Sequence, residues 1–159
     1  MTIETQAEVI TYAREDYDEI IGELRPLLPV HWREMAQRQD EIPLDPDFSF
    51  YEKANRAQLL WAYSARLDGK LIGYVIMVTT ARHPHYAHRW AKDDTIWIHP
   101  AHRNMGAAGG LFDFFEADLR RDGPIVIQIE TRFGHPALEF LLRSRGYDPT
   151  GMLYGKRFA

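Results

Sequence analysis

The segment between Asp94 and Leu119 holds the residue pattern best suited to chemistry. A short apolar run, Thr95 to Ile98, meets His99-Pro100, then Arg103-Asn104-Met105-Gly106-Ala107-Ala108. An apolar stripe at Leu111, Phe112, Phe115 and Leu119 follows at helical spacing. The reading is strand, turn, helix. The first amides of a helix have no partner within it and lie at the positive end of its dipole, so they form a ready site for phosphate oxygens. The small residues from Gly106 to Gly110 would let such oxygens come close. Glycine in a helix costs about 1 kcal/mol relative to alanine. Ligand approach would offset that cost, and so would close packing of the helix on a sheet. Two familiar phosphate loops do not fit. The P-loop needs Gly-Lys-Ser/Thr, which is absent, and the dinucleotide turn needs G-x-G-x-x-G where this chain has G-A-A-G-G.

The elements that must position this turn follow from the pattern on either side. Residues Ala7 to Tyr12 suggest an opening strand, and Ile20, Ile21, Leu24, Leu27 and Leu28 recur at helical spacing within 16–28. Val30 to Gln39 suits a second short helix, and Pro43 and Pro46 mark a loop. LLWAYSARL and KLIGYVIMVTT flank Asp68-Gly69, a strong hairpin signal. The stretch ARHPHYAHRWAKDD fits neither period and is expected to be a long exposed loop before the strand at Thr95. After Asp122-Gly123-Pro124, IVIQIE reads as a strand buried on both faces. His135 to Arg145 reads as a helix closed by Gly146, and the tail from Tyr147 as a final hairpin.

The composition limits the options. A chain of 159 residues, 45% hydrophobic and 26% charged, suits one domain over residues 1–159 with a core of its own. A net charge of −4 and a pI near 6.0 give no footprint for a nucleic-acid backbone. No apolar run approaches the roughly 20 residues of a membrane helix, and the first residues lack the pattern of a signal peptide, so a cytoplasmic protein is expected. With no cysteine there is no disulfide, thiolate metal site or cysteine nucleophile. His83, His85 and His88 have no regular scaffold beneath them, and no metal is assigned to them.

In order and spacing, Ile98-His99-Pro100, Arg103 to Ala108 and Leu111 resemble the acyl-coenzyme A motif of the GCN5-related N-acetyltransferases (GNAT). The resemblance continues through IVIQIE to Arg145-Gly146-Tyr147, and the histidine-bearing loop resembles that of members often found in bacteriophage genomes. It implies a mixed, mostly antiparallel α/β sheet of about six to seven strands flanked by helices. It also implies acetyl-CoA as co-substrate and transfer of the acetyl group to a primary amine by direct attack in a ternary complex, in a monomer or homodimer. The coenzyme would lie on Ile96, Trp97, Ile98, Arg103, Asn104, Met105, Gly106, Ala107, Ala108 and His135. Backbone amides near Trp97 or Ile98 would hold the oxyanion.

An ammonium cannot attack a thioester, so a base or an ordered water must take its proton. Asp94, Glu130 and His85 are the catalytic candidates, while Asp93, His83, Tyr86 and Trp32 are assigned to the acceptor side. Polar strand ends, a solvated loop and ordinary aromatic packing are the competing explanations for these residues. The family's usual tyrosine acid is absent, because Leu142 stands at its place. An alkyl thiol has a pKa of about 8.5, so the thiolate can leave without a strong acid. A catalytically degenerate member that binds coenzyme A or a protein partner is the alternative.

Overall fold

The structure is a computed structural model that describes residues 9–36, 38–132 and 134–156. It divides into two units, Met1–Ile129 and Glu130–Ala159. The first unit carries a mixed sheet in the order β1-β2-β3-β4-β5, with β1 Ile10–Glu15, β2 Leu60–Leu67, β3 Lys70–Thr80, β4 Arg89–Ile98 and β5 Ile125–Gln128. The first four strands pair antiparallel and β5 joins β4 in parallel. The mixed α/β class is as the resemblance implies, but the described residues form five strands rather than six or seven.

Helices α1 Tyr17–Leu24, α2 Leu28–Met35 and α3 Phe48–Arg56 lie over one face of the sheet. There Tyr17, Ile20 and Leu24 pack with Leu60, Ala62, Tyr74, Ile76 and Trp97. Helix α4, Ala107–Arg120, covers the other face, where Tyr63 of β2 meets the rings of Phe114 and Phe115. Local chemistry accounts for the helix starts. Asp16 caps α1 by accepting from the Asp18 N–H at 2.8 Å, and Asp47 caps α3 by accepting from the Phe50 N–H at 3.1 Å. Pro29 sits in the first turn of α2, where its missing N–H costs nothing. The hairpin at Asp68-Gly69 forms as its sequence requires, with φ of 48° and 82° at the two positions.

Several expectations need correction. Strand β1 runs to Glu15, three residues beyond the predicted end, and residues 7 and 8 of that prediction lie outside the described residues. Helix α3 was not anticipated, since it is short, follows two prolines and buries none of its residues fully. Strand β4 begins at Arg89, not Thr95: pairing with β3 draws the polar stretch RWAKDD into the ladder despite its weak strand pattern. Strand β5 is an edge strand with Val126 43% exposed, not one buried on both faces.

The described part of the second unit contains α5, Pro136–Ser144, closed by Gly146 at φ 82° and by a bond from the Tyr147 N–H to the Leu142 carbonyl at 3.1 Å. Residues 147–156 form no strand, so the final hairpin is absent among the described residues. Pro149, Gly151 and Gly155 interrupt that short stretch, which weakens any β tendency of Met152 to Tyr154.

Candidate active site

Strand β4 is the axis of the site. Its first four residues, Arg89 to Lys92, pair with Ile125 to Gln128 of β5, and beyond Lys92 that pairing stops. On its other side β4 stays on β3 as far as Ile98, with one irregularity: Ile76 faces Thr95 while Met77 faces Asp93, which leaves Asp94 as the extra residue of a bulge. The next bond along this ladder joins the His99 N–H to the Ile72 carbonyl at 2.8 Å. The antiparallel alternation then turns the amides of Thr95 and Trp97 toward β3 and those of Ile96 and Ile98 away from it. The Ile98 carbonyl accepts from Arg103 Nε at 3.0 Å on that outward side. Among the described residues, the Ile96 and Ile98 amides therefore point away from β3, and the Trp97 amide is committed to the sheet.

Beyond Ile98 the chain makes a 3-10 turn, Pro100–Met105, and Gly106 takes φ 76°, the left-handed conformation that favours glycine. Helix α4 starts there. Its first internal bond runs from the Gly110 N–H to the Gly106 carbonyl at 3.1 Å, so the amides of Ala107, Ala108 and Gly109 precede the helix's own bonding and have no acceptor within it. The two explanations for the small residues divide by position. A Cβ at Gly110 would collide with the Tyr12 ring and hydroxyl, so that glycine serves packing. A Cβ at Gly109 would meet nothing within 4 Å, so that glycine faces open space.

The side chain of Arg103 is held within the protein. Its guanidinium meets Glu34 of α2 at 2.5 and 2.7 Å, and the same carboxylate accepts from Trp97 Nε1 at 3.0 Å. Those bonds, Arg103 first, hold the Glu34 carboxyl below the usual range. One helical turn earlier on α2, His31 stacks on Trp97 with centroids 5.6 Å apart. Its Nδ1 lies 2.8 Å from the Tyr74 hydroxyl and 3.4 Å from Thr95 Oγ1. Sequence reasoning missed both Glu34 and His31. The only available signal was their i, i+3 spacing on a short helix, which says nothing of what the helix faces.

Asp94, turned out by the bulge, accepts from the Tyr51 hydroxyl at 3.0 Å, and Tyr51 stacks on Tyr17 at 5.5 Å. The Asp94 carboxyl opens to solvent at one side but is crowded by protein on the other. Loss of water there raises it above the usual carboxylate value despite the Tyr51 bond and nearby Lys92. Asp93 pairs with Met77 and so shares the α4 face, not that of Tyr51. Trp32 is half-buried on α2.

His83, His85 and Tyr86 lie in the turn between β3 and β4, at the opposite end of β4 from Arg103. Ten residues of strand put about 30 Å between those ends. His83 stacks on Tyr86 at 4.6 Å and meets Trp90 edge-on at 5.7 Å, beside a cleft of about 90 Å³ bordered by Arg89, Val126 and Gln128. The structure thus groups Asp94, Thr95, Ile96, Trp97, Ile98 and the turn from Arg103 to Ala108 along one part of β4, and sets the histidine loop apart from them. Asn104 and Met105 are exposed in the 3-10 turn. Glu130 and His135 belong to the second unit, where His135 is half-buried just before α5.

In this mixed sheet β4, next to the edge strand, leaves its parallel neighbour and runs into a glycine-turned helix N-terminus. Residues 8–147 match the acetyltransferase (GNAT) family, and the chain belongs to it. It is similar in fold to a ribosomal-protein-alanine N-acetyltransferase from Brucella melitensis biovar Abortus 2308, with 22% identity, 95% of this chain and 100% of that one covered, and a TM-score of 0.71. It is also similar to the aminoglycoside N-acetyltransferase AAC(6')-Iy in complex with CoA, with 16% identity, 98% and 99% covered, and a TM-score of 0.72. A third likeness is to a GCN5-related N-acetyltransferase from Ralstonia eutropha JMP134, with 12% identity, 94% and 99% covered, and a TM-score of 0.72. No curated protein sequence matches the chain. No helix among the described residues is long and apolar enough to cross a membrane.

Proposed function

We propose that the protein transfers an acetyl group from acetyl-CoA to a primary amine by direct attack within a ternary complex. The observation that carries this reading is the continuity of unused backbone donors. The outward Ile96 and Ile98 amides of β4 lead to the amides of Ala107, Ala108 and Gly109 at the positive end of α4. A pyrophosphate suits the helix end, and the extended amide-bearing arm of the coenzyme suits the strand edge. The thioester oxygen, as it becomes an oxyanion, would be held by an outward amide of β4. Arg103, already paired to Glu34, shapes the turn rather than supplying its main anion contact. The acceptor's ammonium is drawn to Asp94 and the adjoining face of Tyr51. The thiolate leaves without a strong acid, which suits Leu142 at the family's tyrosine position.

The test is thermal unfolding with and without acetyl-CoA, for the parent and for Gly109→Glu. Gly109 lies in the third helical position with open space at its Cβ, so a glutamate there should stabilise the free protein by about 1 kcal/mol while repelling phosphate. Acetyl-CoA at 100 times its dissociation constant should add about 2.7 kcal/mol to the parent and far less to the variant. Equal responses would reject the helix N-terminus as the coenzyme site. Gly106→Glu is a poorer choice, because φ 76° would strain any side chain there whatever its charge. Coenzyme binding without transfer to any amine would favour the degenerate alternative.

A further inference from the structure

We propose that Asp94, held in place by Tyr51, anchors a second cation of the acceptor, so that the protein acetylates diamines and polyamines in preference to amines of single charge. The inference rests on the acetyl-transfer reading above and names the acceptor class of that same site.

The bulge in β4 makes Asp94 available. Ile76 faces Thr95 and Met77 faces Asp93, so Asp94 is matched to no residue of β3, and its carboxylate meets α3 instead. Its Oδ2 accepts from the Tyr51 hydroxyl at 3.0 Å. Tyr51 is itself held: its ring stacks on that of buried Tyr17 and meets Phe50 edge-on at 5.6 Å. Helix α3 is tied to the start of α1 as well, since Asn55 donates to Asp16 Oδ1 at 2.8 Å, the same oxygen that caps α1. The carboxylate thus takes its direction from groups that are fixed, yet its charge is poorly compensated. Crowding by protein raises the Asp94 carboxyl, and neither the Tyr51 bond nor Lys92, two residues back on the strand, offsets that. A bound ammonium would supply the missing counter-charge.

Distance decides which nitrogen that ammonium is. The attacking nitrogen has to be neutral, and a carboxylate in contact with it would favour its protonated form. Asp94 lies two residues before Ile96, the first outward amide, which is roughly 7 Å along the strand. A thioester oxygen on that amide, or on the more distant Ile98 amide, keeps the reacting carbon several ångströms from Asp94. An acceptor that reaches both must carry its second charge a few carbon atoms from the nitrogen that attacks. The transfer balances as an aminolysis. The neutral nitrogen bonds to the thioester carbon, the carbon–sulfur bond breaks, the coenzyme leaves as thiolate and the nitrogen's proton passes to water. The ammonium at Asp94 keeps its charge throughout.

Tyr51 of α3, Tyr17 of α1, Tyr74 of β3 and Lys92 of β4 act on this carboxyl or feel its charge, and His31 of α2 reaches the next residue, Thr95. Burial first, and then the Asp94 charge, pushes the Tyr51 and Tyr74 phenols well above their ordinary value, so both stay neutral hydroxyls while Asp94 titrates.

Thiol release from acetyl-CoA is measured against pH with putrescine, butylamine and an alanine-first peptide, for the parent, Asp94→Asn and Tyr51→Phe. Butylamine differs from putrescine only by lacking the second ammonium, so the ratio of their kcat/KM values isolates that charge. The parent should favour putrescine by about 10-fold or more, and Asp94→Asn should lose that preference, chiefly through KM. In the parent the ratio should decline as acid protonates Asp94. Tyr51→Phe removes a bond that lowers this carboxyl, so its decline should begin at higher pH. In melts with coenzyme A present, putrescine should stabilise the parent more than butylamine does, and this difference should vanish in Asp94→Asn. A parent without preference for putrescine overturns the inference while leaving acetyl transfer standing. So does an Asp94→Asn enzyme slowed equally on both amines, which would mark the carboxylate as a base. An unmoved decline in Tyr51→Phe removes Tyr51 from the assignment. If the parent binds acetyl-CoA yet transfers to none of the three acceptors, the acetyl-transfer reading fails and takes the inference with it.

Discussion

The two ends of β4 differ in how they use polar groups. At the Ile98 end, side chains satisfy one another: Glu34 binds Arg103 and Trp97, and Arg103 binds the Ile98 carbonyl. The backbone is what remains available there, with amides at Ile96, Ile98 and the first turn of α4 directed away from the ladder. At the Arg89 end the backbone is paired on both sides, to β3 and β5, and the exposed side chains belong to the turn that precedes the strand. His85 and Tyr86 are exposed, while His83 stacks on Tyr86. The histidine-rich end attracts notice in a sequence because its side chains can ligate or titrate. The plainer end is better built to hold an anion and an extended amide chain, because those ligands need donors on a fixed backbone more than they need particular side chains.

Substitutions can break this contrast. The largest effect is expected from Trp97→Ala, which removes a ring only 2% exposed at the junction of α2 and β4. It should cost about 3–5 kcal/mol in denaturant unfolding. The same truncation at half-buried Trp90 should cost much less, and equal losses would deny that the Ile98 end is the better packed. Next comes a pair one residue apart on α4. Gly110→Ala should destabilise by roughly 1–3 kcal/mol through its clash with Tyr12, whereas Gly109→Ala should gain up to about 1 kcal/mol from helix propensity alone. Matching signs in thermal melts would mean that both glycines serve the same purpose.

Removal of the Glu34 charge by Glu34→Gln should cost about 1 kcal/mol, since the pair is partly exposed. The pH dependence sharpens that test. Glu34 and Glu15 both titrate below their ordinary value, held down chiefly by Arg103 and Arg66 respectively. Their contribution is therefore complete above the unfolded carboxylate value and is lost as pH falls through the lower folded value. Asp94 has the opposite sign. Its raised carboxyl makes the charged form unfavourable in the folded state, so Asp94→Asn should raise the melting temperature at pH 7 and lose that advantage in acid. Melting curves from pH 7 to pH 3 separate the two cases, and a parallel fall of Asp94→Asn and Glu34→Gln would contradict them. The smallest effect is expected at Tyr86, where replacement by alanine should stay within about 0.5 kcal/mol and leave the acetyl-CoA shift unchanged.

The chain's own order of residues determined a good deal. Asp68-Gly69 needs two left-handed residues and has a pair that tolerates them, so the hairpin is a local matter. The strand, turn and helix around Gly106 were equally legible, because period-2 and period-3.6 apolarity are separated there by a proline and a left-handed glycine. What the tertiary structure decided is every relation across the sheet. The Asp94 bulge exists only as a mismatch with β3, and the open edge of β4 only because β5 stops pairing at Lys92. Gly109 and Gly110 are neighbours of one residue type, and only the position of Tyr12, 98 residues before Gly110, separates their roles. His31 and Glu34 look like ordinary polar positions of a short helix until α2 is laid on Trp97 and Arg103. Backbone propensity acts over a few residues and can be read along the chain. Side-chain pairing at 3 Å depends on which distant segments the burial of apolar surface brings together.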